Sequence, residues 1–326
     1  MIRFPYIQKA REHDQVTPWS MFGFLALALI FGGAGCADSS PLEETTRSLV
    51  IYTSQDRVYA EPIFQEFTEE TGIEIKAQFD NESAKTMVLA KRILAEQVNP
   101  VCDVFWSNES LAVRKLAQAG AVQGFEELGY RMRVLIINTN LVSIDEAPAS
   151  LKDLTLPIWK GKTVMAYPVF GTTATHMLAL REEWGPDVWE SWCEGLIENE
   201  MKIVDGNSMV VRLVGAGEAA VGLTDSDDLA VGLSKGLPLL SVPLKKELCA
   251  IPNTMGMVTG APHPTEAMTF LRYVQSNDVL SDMVEASALV SSEPPPNDDS
   301  FLYIFWPEIM TEEKDSFNWM RETFIR

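Results

Sequence analysis

Leu49-Val50-Ile51-Tyr52-Thr53-Ser54-Gln55-Asp56 decides the fold. Four apolar residues read as a short buried strand, and the abrupt change to polar residues at Thr53 marks a strand end of the kind where open α/β sheets hold ligands. Downstream, Tyr59, Ile63, Phe64 and Phe67 fall on one face of a helix that Thr71-Gly72 ends, and Ile73 to Phe79 reads as a second strand. Asp103-Val104-Phe105-Trp106-Ser107-Asn108-Glu109 then repeats the pattern of an apolar strand running into polar groups. Two strand ends therefore present Ser54, Gln55, Asp56, Ser107, Asn108 and Glu109 to one place.

The chain has 326 residues, 46% hydrophobic and 22% charged, which is enough for two lobes with cores of their own. A formal charge of -20 excludes the clustered Lys and Arg that nucleic acid demands. At the start, Arg3, Lys9 and Arg11 precede an apolar core from Met21 to Phe31, too short to span a bilayer and suited to a signal segment. Gly32-Gly33-Ala34-Gly35 leads to Cys36 and resembles a bacterial lipobox, although Gly33 stands where Leu is usual. The expectation is a signal peptide over 1–35, a lipidated Cys36 and a tether over 36–48, with plain cleavage or an uncleaved anchor as the other outcomes. The remaining Cys102, Cys193 and Cys249 lack metal-ligand spacing and are expected as buried free thiols.

In chain order, Ser83 to Glu96 and Leu111 to Ala119 read as helices, and Val122 to Leu128 as the next strand edge. Arg131 to Ile137 is a candidate crossing strand between lobes. Beyond these, Tyr167-Pro168-Val169-Phe170-Gly171-Thr172-Thr173 runs into a helix carrying His176. Its free backbone N–H groups and positive dipole end suit a carbonate, phosphate or carboxylate, with an ordinary N-cap as the alternative. His176 is expected to be a satisfied helix residue. Trp189 and Trp192 are expected in the core. Asn207 and Ser208 open another helix. Phe301 to Ile325 reads as a terminal helix.

Pro148-Ala149-Ser150-Leu151-Lys152-Asp153-Leu154, followed by Pro157-Ile158-Trp159-Lys160-Gly161-Lys162-Thr163-Val164, resembles a signature of the bacterial extracellular solute-binding proteins, the capture subunits of ABC importers. The opening Val50 to Gln55, Glu70-Thr71-Gly72-Ile73 and Asp103 to Ser107 resemble the ferric-iron-binding branch. The resemblance implies a type II periplasmic-binding-protein fold of two α/β lobes, 49–136 with 255–326 and 137–254, closing on cargo in the cleft between them. It also implies a monomer in the periplasm, partnered by permease and ATPase subunits and touching membrane only through its N-terminal segment. Asn207 and Ser208 then face the cleft.

The loop Ala219 to Asp228 holds Asp225, Ser226, Asp227 and Asp228, where iron-holding relatives carry paired tyrosines. Asp56 and Asn108 stand where many relatives place a histidine and a glutamate. Asp56, Asn108, Glu109, Asp225, Asp227 and Asp228 would line the cleft as hard oxygen donors, and uncompensated carboxylates there would favour a cation. Asp-Ser-Asp-Asp is also a good helix start. The cargo expected is iron(III), with an anion at Gly171 to Thr173; a phosphonate, thiamine or polyamine, or a ligand-sensing ectodomain, are the alternatives. Three histidines and no nucleophile motif argue against an enzyme.

Overall fold

A computed structural model describes residues 47–80, 87–295 and 300–324 of the chain. The expectations for the signal segment, Cys36 and the tether up to residue 46, and the first residues of the helix read from Ser83, lie outside the described residues.

The chain runs β1 (Ser48–Thr53), α1 (Arg57–Thr71), β2 (Glu74–Phe79), α2 (Met87–Ala95), β3 (Val104–Ser107), α3 (Ser110–Gln118) and β4 (Val122–Asn138). It continues through β5 (Thr163–Ala166), α4 (Gly171–Trp184), α5 (Pro186–Glu198), β6 (Lys202–Val204), α6 (Asn207–Gly215), β7 (Val221–Asp225), α7 (Ser226–Ser234) and β8 (Leu239–Val242). The described part ends with β9 (Ala250–Val258), α8 (Pro264–Val274), α9 (Asn277–Glu285) and α10 (Trp306–Phe324).

The strand order β2-β1-β3-β9-β4-β7-β5-β6, with β8 on β4, divides at β4 into two sheets. From Val122 to Met132 this strand pairs antiparallel with β9, and from Arg133 onward with β7. It unites what the sequence suggests as two segments. Gly124 and Gly129, at φ 58° and 121°, sit at its register shifts, and a side chain on Gly129 would collide with the Ser291 carbonyl at 2.3 Å. Only glycine turns the strand there without breaking it. The last crossing strand, β9, begins at Ala250, five residues before the apolar run Met255 to Val258 that marks it in the sequence.

Each sheet carries its own core. On the first, Phe64, Phe67, Trp106 and Phe270 pack with ring centroids 5.1 to 6.1 Å apart. On the second, α4 is buried from Thr172 to Leu180 because α5 covers one side and α10 another. The sequence reading grouped the terminal helix with the first lobe. Its apolar stripe Ile309, Phe317, Met320 and Phe324 is instead buried with Met177 and Trp189 of the second core. Trp189 and Trp192 are buried core residues, and Cys102, Cys193 and Cys249 are buried free thiols.

Candidate functional site

The strands of the second sheet end beside one another, and the helices that follow them start there. β5 leads to Gly171 of α4, β6 to Asn207 of α6 and β7 to Ser226 of α7. Around these starts lies a cavity of about 40 Å3 lined by Asn108, Arg131, Tyr167, Phe170, Gly171, Thr172, Thr173, Asp205, Asn207, Asp225 and Asp228, among others. Helix starts leave backbone N–H groups without intrahelical partners and concentrate positive dipole ends. Gly171 enters α4 at φ 56°, a conformation that suits glycine.

Behind the cavity, the polar groups interlock. Arg133 Nη1 donates to Asp225 Oδ1 at 2.6 Å and also reaches Asn207 Oδ1 at 3.1 Å and Thr172 Oγ1 at 3.3 Å. The second oxygen of Asp225 accepts from Thr172 Oγ1 at 2.6 Å and Asn207 Nδ2 at 2.8 Å. One buried ion pair thus ties together the starts of α4, α6 and α7. Next to it, Arg131 Nη1 donates to Asp227 Oδ2 at 2.5 Å, with both side chains 1% exposed. Burial alone would lower the Arg131 pKa, but Asp227, Asp225, Asp56 and Asp228 outweigh it and raise it. For Asp227 burial dominates and pushes the carboxyl up to about 6 against the pull of Arg131.

This corrects the expectation of an uncompensated acidic cleft. Oxygens of Asp225, Asp227 and Asp228 do lie within 4.8 Å of one another. Two of the three, however, are already neutralised by arginines from β4 that the sequence reading overlooked. A signal for them existed: Arg131 and Arg133 alternate in a strand whose next four residues are all apolar, which places two charges on one face.

Other anticipated residues take different places. Glu109 caps α3, accepting from the backbone N–H of Leu111 at 2.7 Å and of Ala112 at 3.1 Å, and it reaches Thr175 rather than the cavity. Burial raises its pKa while the two backbone bonds lower it, and the net direction is upward. Ser226 Oγ accepts from the Met132 N–H at 3.1 Å and is structural. Ser54 donates to Asn108 Oδ1 at 3.1 Å and lies 3.3 Å from Ser107 Oγ, so these three brace one another. Asp56 is the N-cap residue of α1. Gln55 is buried, and both its amide atoms lack a partner among the described residues. Ser208 is the second residue of α6 and is not part of the cavity wall.

Three further residues escaped the sequence reading. Tyr167 and Phe170 stack at 5.4 Å and form an aromatic wall, and Asp205 lines the cavity from the β6 end. Tyr59 of α1 donates through its hydroxyl to the Asp227 carbonyl at 3.5 Å, with its pKa raised by burial and then by Asp227. His176, as expected, is a satisfied helix residue in part: Nε2 bonds the Glu247 carbonyl at 2.6 Å, whereas Nδ1 has no partner among the described residues. Burial, with Arg133 adding to it, lowers its pKa to about 3, so the ring is neutral and Nε2 is the donor.

Residues 49–281 match the family model described as bacterial extracellular solute-binding protein. The major ferric iron-binding protein of Neisseria meningitidis is 25% identical over 199 residues, 55% of this chain and 58% of the relative, so the match spans little more than half of that protein. The crystal structure of iron-bound HitA from Pseudomonas aeruginosa superposes with a TM-score of 0.74 at 21% identity, covering 85% of this chain and 99% of that one. AfuA from Actinobacillus pleuropneumoniae, with exogenous fructose-6-phosphate bound, gives 0.73 at 18% identity, covering 86% and 100%. These superpositions establish the type II periplasmic-binding-protein fold, two α/β lobes joined by crossing strands.

Proposed function

Because the chain belongs to the bacterial extracellular solute-binding protein family, we propose that it is the capture subunit of an ABC importer whose cargo seats an anionic group at the starts of α4 and α6. The family is one of binding proteins, so the site holds a ligand and does not transform it. The observation that carries the reading is the convergence of the starts of α4 and α6 with Arg131 on one small cavity.

The cargo we favour is iron(III) accompanied by an anion. Support comes from the ferric relatives and from the carboxylates of Asp205 and Asp228 on the cavity wall, which offer hard ligands beside the anion seat. Asp228 and Asp205 line the cavity and carry the metal-facing role, since Asp225 and Asp227 are held by arginines. Closure would proceed by movement of the lobes about β4 and β9, and the closed form would be delivered from the periplasm to an inner-membrane permease served by an ATPase. The lobes are taken to meet at these strands, with α10 on the second core, and Cys36 is proposed as the lipid anchor. A second reading, an organic phosphate or phosphonate without metal, is favoured by Arg131 and Arg133, which offset the charges of Asp227 and Asp225.

Melting of the metal-stripped protein with iron(III) citrate, iron(III) with phosphate, and phosphonates decides between them. Cargo at a hundred times its dissociation constant stabilises by about 2.7 kcal/mol. A rise with iron that a strong chelator reverses supports iron capture; a rise only with the organic anion, indifferent to chelator, supports the second reading. No rise with any of them sinks both.

A further inference from the structure

The terminal helix α10 carries two consecutive glutamates that pair with different helices. Glu312 pairs with Arg181 of α4, and Glu313 accepts from Lys115 Nζ of α3 at 2.5 Å. α4 shares the second core with α10, whereas α3 buries Val113 and Leu116 with Tyr52 and Phe105 of the first sheet. The Lys115–Glu313 pair therefore joins the two lobes by a route that does not run through the crossing strands. Near the start of α10, Arg114 adds a second contact, lying over the Trp306 ring at 4.5 Å from its centroid. Lys115 is half exposed, but the Glu313 side chain is only 9% exposed, a carboxylate withdrawn from water beside a cation of the other lobe. Packing along this seam is incomplete. A cavity of about 110 Å3 remains, with Leu111, Leu116, Ala174 and Phe317 among its walls and the carboxylates of Glu109 and Glu313 on it as well. It shares Phe170 and Gly171 with the cargo cavity, so the seam lies on the cargo side of the crossing strands, and parting the lobes opens both. A seam with room in it moves without tearing a close-packed core.

We propose that α10 is a strap across the lobes and that the Lys115–Glu313 pair is its clasp, biasing the lobes toward closure before cargo arrives. The inference rests on the capture reading only in taking the lobes to move. The pair touches no cargo and acts through the balance of open and closed forms. While the closed form is the minor one, whatever factor the clasp adds to its population is added to cargo affinity too. Loss of the Lys115 cation leaves Glu109, at the start of α3, and Glu313 of α10 on the wall of one cavity with nothing between their charges, and repulsion between them drives the lobes apart. Glu312 keeps α10 fastened to α4 whatever happens at Glu313, so the strap stays with the second lobe when the clasp opens.

The test is small-angle scattering of the metal-stripped, cargo-free protein, with calorimetric titration of iron(III) citrate beside it. Lys115→Met removes the cation, Lys115→Glu reverses it, and Lys115→Glu with Glu313→Lys restores an opposite-charge pair the other way round. The expected result is a larger radius of gyration in Lys115→Glu than in the wild type, a smaller increase in Lys115→Met, and a return toward the wild-type value in the exchanged pair. Affinity for iron(III) citrate should fall roughly threefold or more in Lys115→Glu and recover in the exchanged pair. Lys115→Met with the wild-type circular dichroism spectrum and the wild-type radius would overturn the clasp, and it decides the matter if the reversed chain does not fold. An exchanged pair that stays as open as the single reversal would overturn it as well, because a loss that opposite charges cannot repair is not a lost ion pair. Failure of the wild type to bind iron(III) citrate counts against the iron reading of the site alone, since the scattering comparison uses no cargo and still judges the clasp.

Discussion

Removing the Arg133 side chain while keeping its bulk apolar, Arg133→Met, strands Asp225 in the interior. The carboxylate is 2% exposed and its arginine 0%, with 2.6 Å between the bonded atoms. Losing one partner of a buried pair costs about 3–5 kcal/mol. Asp225 would keep two donors, Thr172 Oγ1 and Asn207 Nδ2, which points to the lower end, about 3 kcal/mol. In a folded unit of this size each kcal/mol moves the melting temperature by about 2–4 °C, so the variant should melt roughly 6–12 °C lower. Urea unfolding followed by tryptophan fluorescence should show the midpoint falling with the slope unchanged. Adding Asp225→Asn removes the stranded charge and should restore more than half of the loss. A single variant that loses less than about 1 kcal/mol, or a double variant no better than the single, would refute the view that this pair is the internal tie of the three helix starts.

Two other outcomes follow from the geometry. Glu109→Ala should lower stability by about 0.5–2 kcal/mol through loss of the α3 cap and leave cargo affinity unchanged; a tenfold fall in affinity by titration would restore Glu109 as a ligand. His176 has a folded pKa of about 3 against 6.5 in the unfolded chain, so acid protonates the unfolded state first. Stability is then undiminished above pH 6.5 and is lost as pH falls toward 3, by about 2 kcal/mol at pH 5, or 1.36 kcal/mol per pH unit over about 1.5 units. Urea midpoints against pH should fall less steeply in His176→Gln than in wild type, and parallel curves would contradict the assignment.

The opening unit was legible because its signals are local. Leu49 to Tyr52, the Phe64 and Phe67 face and Gly72 as a left-handed cap each act within a few residues, and β1 and α1 stand where they indicate. Legibility failed where partners are distant. Gly129 reads as a break in isolation and becomes a bulge only because β9 and Ser291 lie against it. The period of α10 predicts a helix but says nothing of which core receives it, and α9 buries only Val279 and Met283, too few apolar residues to announce it. In the site, Gly171 to Thr173 and Asn207 were visible as helix starts. The pairing of Arg133 with Asp225 joins residues 92 positions apart, and no window along the sequence contains both. Glu109 misled for the opposite reason: a carboxylate at a strand end can serve a ligand or a helix, and here the nearest backbone N–H groups claim it.

The strand β9 lies between β3 and β4, yet its residues come late: Val104 pairs with Met257, 153 positions further on. The pairings of β4 with β7 and of β5 with β6 and β7 all close within residues 133–225. During synthesis the strand pairings of the second sheet can therefore form before those of the first, which wait for β9, although the second core is completed only when α10 arrives. Distant pairings form slowly because the intervening loop must close first. Until β9 inserts, β3 and the first half of β4 present open edges of the kind that recruit other chains. A chain cut short before Ala250 would lack β9 for the first sheet and α10 for the second core, and association through those bare edges would be its natural fate.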